Sequence, residues 1–379
     1  MVLQEIEYFK MDSSLLRTRL RALRDKRGIS QEALAAQMKL VNRQALTDIE
    51  SGDRKIAPAE LAAAAEALGT TVFALTDPLQ LGEEGRFSWR QAGANLQELD
   101  SFEFRAGQWI AAFRHFNKLQ GVAINSAVHR LGIDITSSYE DATAQGEALA
   151  AKLELGEIPA EKLPSVLEEQ LSTLVLYVDA IEGVSGAACR IEVLNTILVN
   201  RREILARRNY DIAHEFFHLL TWETMPPQRL DEAAIADKKY KRIETLAENF
   251  ASGLLMPTES IQKLVAANGL PTENELPKWI SLAAPHMQVS HSAMLWRLVN
   301  LGYVTQSAAT RVRPLLALHA SIEKQQTPAL FSKRYLQSIA WAIDEGEISV
   351  RRAGTLLNVP MENLPELFRQ HQIYCAFEL

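Results

Sequence analysis

The chain has 379 residues, 47% of them hydrophobic and 23% charged, a globular balance with length for two or three domains. A net charge of −7 excludes a molecule coated in basic surface, and no apolar run approaches the roughly eighteen residues of a membrane span. Cys189 and Cys375 lie too far apart in sequence to suggest a disulfide framework, and "MVLQEIEYFK" carries no secretion signal. The expectation is a cytoplasmic protein with no membrane segment.

The charge is uneven. Between Asp12 and Ile56 there are ten Lys or Arg against six Asp or Glu, a local +4 on an acidic body. Leu16, Leu20 and Leu23 recur at helical period, and Gly28 is placed to end that helix. Ser30 can cap a second helix, "QEALAAQMK". After a short turn, Asn42 can cap a third, "RQALTDIES", which Gly52 stops. Pro58 opens a fourth, closed by Gly69. In the third helix Ala45, Leu46 and Ile49 share one face, while Gln44, Thr47, Asp48 and Ser51 share the other. A short turn followed by a helix with a polar outer face suits a major groove. Arg43 can take a phosphate or a guanine, Gln44 an adenine, and Thr47 a base or a backbone oxygen. "SQEALA", "RQALTDIESGDRK" and "AAEALGT" resemble the XRE/Cro-type helix-turn-helix family over residues 12–78. The resemblance implies a five-helix domain that binds a double-stranded DNA operator as a homodimer. Gln31, Asn42, Arg43, Gln44 and Thr47 are its candidate DNA-binding residues. One departure is visible: the turn in "KLVNRQ" is one residue longer than the usual pattern.

Residues 79–138 read as a connector, with a loop around Gly82, Gly85 and Gly93 and then an amphipathic helix. That helix carries Phe102, Trp109, Ile110 and Phe113 as a core or interface stripe. "YEDATAQGEALAAKL" is another helix, with "GEIP" and "KLP" as breaks after it. "LSTLVLYVDA" (171–180) reads as a strand, and residues 186–200 read as two strands around Leu194 and Asn195. "NTILVN" could take an extended peptide as an added strand.

"AHEFFHLL" follows. Ile212, Phe216, Leu219 and Leu220 have helical apolar spacing, which puts His214 and His218 one turn apart on one face. Two imidazoles so placed can ligate one metal ion, and Glu215 beside them can serve as general base toward an activated water. In "RIETLAENFASGLLMP" a second helix places Glu244 and Glu248 one turn apart. Glu244 can be the third ligand, and Glu248 can accept the free N–H of a ligating histidine. "IAHEFFHLL" with "ETLAENFASGLLMP" resembles the ImmA/IrrE family of zinc metallopeptidases, and the likeness extends through "QVSHSAMLWRLVNLGYV". It implies a zincin-like core over 139–305 with one zinc ion per chain. His214, His218 and Glu244 would be ligands, and Glu215 the catalytic base. It also implies cleavage of a protein partner, a repressor or an antitoxin, in a stress, prophage or toxin–antitoxin response. Phe217 stands where the family usually has Gly, and either crowds the cleft or packs inside. Leu246 and Glu248 also replace more usual residues.

Tyr210, Tyr240, His286 and His291 are candidate oxyanion donors by type. His115, His129, His319 and His371 have no metal-ligand spacing. Residues 306–379 read as a helical extension, with breaks near Gly346 and Asn358-Val359-Pro360, suited to packing or dimerisation. The fold class is mainly α with a small β-sheet (α+β). Two other readings stand beside the peptidase: a transcription factor whose zinc domain senses or supports, and an antitoxin-type binding protein.

Overall fold

The computed structural model describes residues 13–91, 93–124, 130–226, 237–316 and 327–374. His129, His319 and Cys375 lie outside them. The architecture is α+β, mostly helical with one four-stranded sheet. Two compact units are distinguished. The first holds residues 1–86, 103–123 and 355–358; the second holds 87–102, 124–354 and 359–379. No described helix is long and apolar enough to cross a membrane.

In the first unit the helices are α1 (Ser13–Lys26), α2 (Gln31–Gln37), α3 (Arg43–Ser51), α4 (Pro58–Ala67) and α5 (Val72–Thr76). Their ends follow local chemistry. The Ser30, Asn42 and Thr71 side chains accept N–H bonds at the starts of α2, α3 and α5, and Gly52 closes α3 with φ +96°. Leu16, Leu20, Leu34, Leu46 and Ile49 close the core. The Arg24 guanidinium ties α1 to Glu50 of α3 at 2.7 Å.

Strand β1 (Arg86–Gln91) follows, then helix α6 (Leu96–Leu119). The glycine-rich stretch is thus a strand and not only a loop. "RFSWRQ" alternates, and Phe87 and Trp89 stack at 5.2 Å between ring centroids. The flanking glycines hid a six-residue pattern. The stripe on α6 is core: Phe102, Trp109, Ile110 and Phe113 are buried.

The second unit continues with α7 (Tyr139–Lys152), α8 (Pro159–Glu169), β2 (Thr173–Val178), β3 (Val184–Arg190) and β4 (Asn195–Asn200). Pro164 does not break the chain as "KLP" suggested; it sits inside α8. The strand order is β1-β3-β4-β2. β4 pairs in parallel with β2, Thr173 opposite Asn195, and antiparallel with β3, Gly186 opposite Val199. This corrects one expectation. "NTILVN" is an interior strand with both edges hydrogen-bonded, so it has no free edge for a peptide.

Helices α9 (Leu205–Leu220) and α10 (Lys238–Leu255) carry the motif residues. Most of α9 is buried, as befits a helix laid on β3 and β4 and covered by α10. Close approach of α7 to α10 depends on two glycines. A Cβ on Gly146 would stand 2.3 Å from the Phe250 carbonyl oxygen, and one on Gly253 would stand 2.1 Å from that of Thr143. Beyond lie α11 (Thr258–Asn268), α12 (Leu276–His286), α13 (His291–Asn300) and α14 (Gln306–Leu316). The tail adds α15 (Lys333–Asp344), α16 (Val350–Leu357) and α17 (Leu364–Gln370), with the breaks the sequence suggested.

Candidate metal centre

α9 presents His214 and His218 on one face, and α10 brings Glu244 against them. The two Nε2 atoms are 3.1 Å apart. Glu244 Oε2 lies 3.1 Å from His214 Nε2, and Oε1 lies 3.4 Å from His218 Nε2. Two ligand atoms on a tetrahedral zinc are separated by roughly 3.3 Å, given bonds near 2 Å. The donor set therefore fits a single divalent ion. Among the described residues this is the one group of three such side chains converging within 4.8 Å.

The electrostatics follow from burial. Burial lowers His214 to about 3, so its imidazole is neutral and ligand-ready. Burial would also neutralise Glu244, but hydrogen bonds to His214 and His218 win and hold it well below the carboxylate range. Burial would lower His218 too, yet Glu244 holds it above its ordinary value. Glu215 is fully buried and neither carboxylate oxygen has a hydrogen-bond partner. Burial pushes it up to about 8. An orphaned buried carboxyl beside two imidazoles is the kind of unsatisfied group that marks function.

Phe217 packs inside. It is fully buried, its ring 5.4 Å from that of Phe250 on α10 and 5.9 Å from that of His218. Glu248 does not reach His214, whose Nδ1 is buried with no hydrogen-bond partner. One turn beyond Glu244, Glu248 instead lines a groove of about 450 Å³ with Arg90, Arg207, Tyr210, Ser290 and Trp296. Of the oxyanion candidates, Tyr240 hydrogen-bonds Glu244, whereas the Tyr210 hydroxyl donates to the Glu248 backbone carbonyl at 2.9 Å. His286 is exposed at the end of α12, and His291 opens α13. His371 bonds the Leu330 carbonyl at 3.0 Å, and His115 packs on Phe116.

Sequence reasoning missed Arg90 and Asp211. Asp211 lies one turn before Glu215, is fully buried, and receives Arg90 at 3.3 Å and Arg207 at 3.2 Å. Burial pushes its carboxyl up to about 6 against the pull of both arginines. Arg90 also lies over the Tyr210 ring, 5.5 Å from its centroid. The alternation in "RFSWRQ" was the available signal.

At the other end of the chain, each candidate DNA-binding residue has a partner within the domain. Gln31 donates to Glu50 at 2.8 Å and accepts from Arg43 at 3.2 Å. Gln44 donates to Asp48 at 2.7 Å, Thr47 donates to the Arg43 carbonyl at 3.3 Å, and Asn42 caps α3. Arg43 and Gln44 remain exposed at the start of α3.

Residues 20–75 match the helix-turn-helix family, and residues 172–298 match the IrrE N-terminal-like domain, a peptidase family. The chain joins a helix-turn-helix domain to an IrrE N-terminal-like domain. It is a DNA-binding regulator with a peptidase-like domain. All three metal-site residues fall inside the IrrE-like match, whereas Arg90 lies outside both matches. No curated protein matches the chain. Solved structures of the competence regulator ComR are similar at low identity. Apo ComR from Streptococcus vestibularis is 12% identical, covering 88% of this chain and 99% of that one. Apo ComR from S. thermophilus is 11% identical (88% and 100%), and ComR from Streptococcus suis 13% (89% and 98%). Each has a TM-score of 0.17, at which the likeness bears on neither arrangement nor function.

Proposed function

We propose that this protein is a cytoplasmic regulator that binds an operator as a homodimer and cleaves a protein partner, of repressor or antitoxin type, at the His214–His218–Glu244 centre. The observation that carries the reading is the orphaned Glu215 carboxyl, buried beside three converging ligands. A divalent ion held there, zinc by its donor set, would polarise a scissile carbonyl and acidify water. His214 and His218 would hold that ion as neutral imidazoles. Glu215 would accept a proton from the attacking water and deliver it to the leaving amine. Tyr240, which hydrogen-bonds Glu244, would turn its hydroxyl to a developing oxyanion. Arg90 and Arg207 pair with Asp211, one turn before Glu215.

A non-catalytic, metal-sensing reading has two observations in its favour: Glu215 and His214 are fully buried, and β1 already covers the β3 edge. Comparing protein N-termini in cells that carry wild type or Glu215→Gln separates the two. A new N-terminus present only with wild type supports cleavage. Identical termini in both, with metal bound in both, would leave the sensing reading standing.

A further inference from the structure

The turn between α2 and α3 is one residue longer than is usual in the helix-turn-helix family. Five residues, 38–42, join the two helices. Met38 is buried and Leu40 packs against the core, with Lys39 between them at φ +57°. The next apolar residue has no such place: Val41 is 96% exposed. Val41 immediately precedes the cap Asn42, where an apolar side chain commonly packs on the fourth residue of the helix and fixes the entry of the chain. That residue is Leu46, which is fully buried while Val41 is not, so this staple is not formed. Val41 therefore has no structural task within the domain.

Its position supplies another. The start of a recognition helix is the end that reaches base edges. Gln44 and Arg43 are exposed beside Val41, but the five polar candidates already have intramolecular partners. Thymine alone displays a methyl group in the major groove, and apolar side chains read it by contact. We propose that Val41 is a specificity-determining residue that packs on the 5-methyl of a thymine in each half-site. The inference rests on DNA binding by the helix-turn-helix domain.

The test uses the full chain. A randomised duplex library is enriched on wild type, and each thymine of the selected duplex is replaced in turn by deoxyuridine, which lacks only the methyl. One position per half-site should weaken wild-type binding by about fourfold, the worth of one buried methyl. Val41→Ala, a change at an exposed site outside the core, should bind the thymine and deoxyuridine duplexes equally. Equal sensitivity in wild type and Val41→Ala, or no sensitive position, overturns the inference while leaving DNA binding intact. Failure to enrich any sequence would instead overturn sequence-specific DNA binding, and the inference with it.

Discussion

Glu215 dominates at the scale of single residues. Its neutral form is favoured by burial, and neither carboxylate oxygen has a hydrogen-bond partner. Replacing it by Gln keeps the shape and removes the base. Cleavage should fall by about 10²–10⁴-fold, with metal content and DNA affinity unchanged, as followed by substrate turnover and elemental analysis. The same burial predicts a pH dependence of the metal-free protein. The folded chain holds a proton on Glu215 up to about pH 8, whereas the unfolded chain releases it at ordinary carboxylate values. That stability is full at low pH and is lost as pH rises through about 8. His218, held up by Glu244 against burial, adds a loss of the same sign. His214, lowered by burial to about 3, works in reverse: it costs stability as pH falls below its ordinary value. From about pH 6.5 to about 8.5 only the first two change, so the melting temperature in chelator should fall. Glu215→Gln should make the fall shallower; an unchanged slope would contradict the environment assigned to this carboxyl.

At the scale of elements, α9 and α10 must be held to within a fraction of an ångström for three ligand atoms to meet. Gly253 and Gly146 set how close α10 lies to α7. A Cβ at Gly253 meets a backbone oxygen, which cannot rotate away as a side chain would. Gly253→Ala should therefore displace α10, cost about 1–3 kcal/mol in denaturant unfolding, and weaken metal binding through Glu244. A variant with wild-type stability and metal affinity would show that α10 is positioned otherwise. The HEFFH helix and the Glu244 helix were legible because both have strong apolar periods. Strand β1 was not, because Gly82, Gly85 and Gly93 surround a six-residue alternation. The strand order was not legible either. Pairing is decided by contacts distant in sequence, so nothing local in "NTILVN" told that both of its edges are taken.

For the whole molecule, the sequence distinguished a DNA-binding end from a peptidase-like body, and both have matching families. What it did not show is that the peptidase-like sheet recruits a strand from beyond its own family segment. β1 pairs with β3 and brings Arg90 to Asp211, so residues 87–91 of the connector belong to that unit's sheet. The convergence of His214, His218 and Glu244 was readable because spacing along α9 fixes two members and the second helix supplies the third. The environment of Glu248 was not, because which atom a carboxylate reaches depends on side-chain rotamers. If His214, His218 and Glu244 form one metal centre, the ion should be lost with either helix's ligand. Elemental mass spectrometry of protein purified without chelator tests this most directly, on wild type, His214→Ala and Glu244→Ala. Wild type should carry about one zinc per chain, and both variants should lose it. No stoichiometric metal in wild type, or metal retained in the variants, would contradict a shared centre.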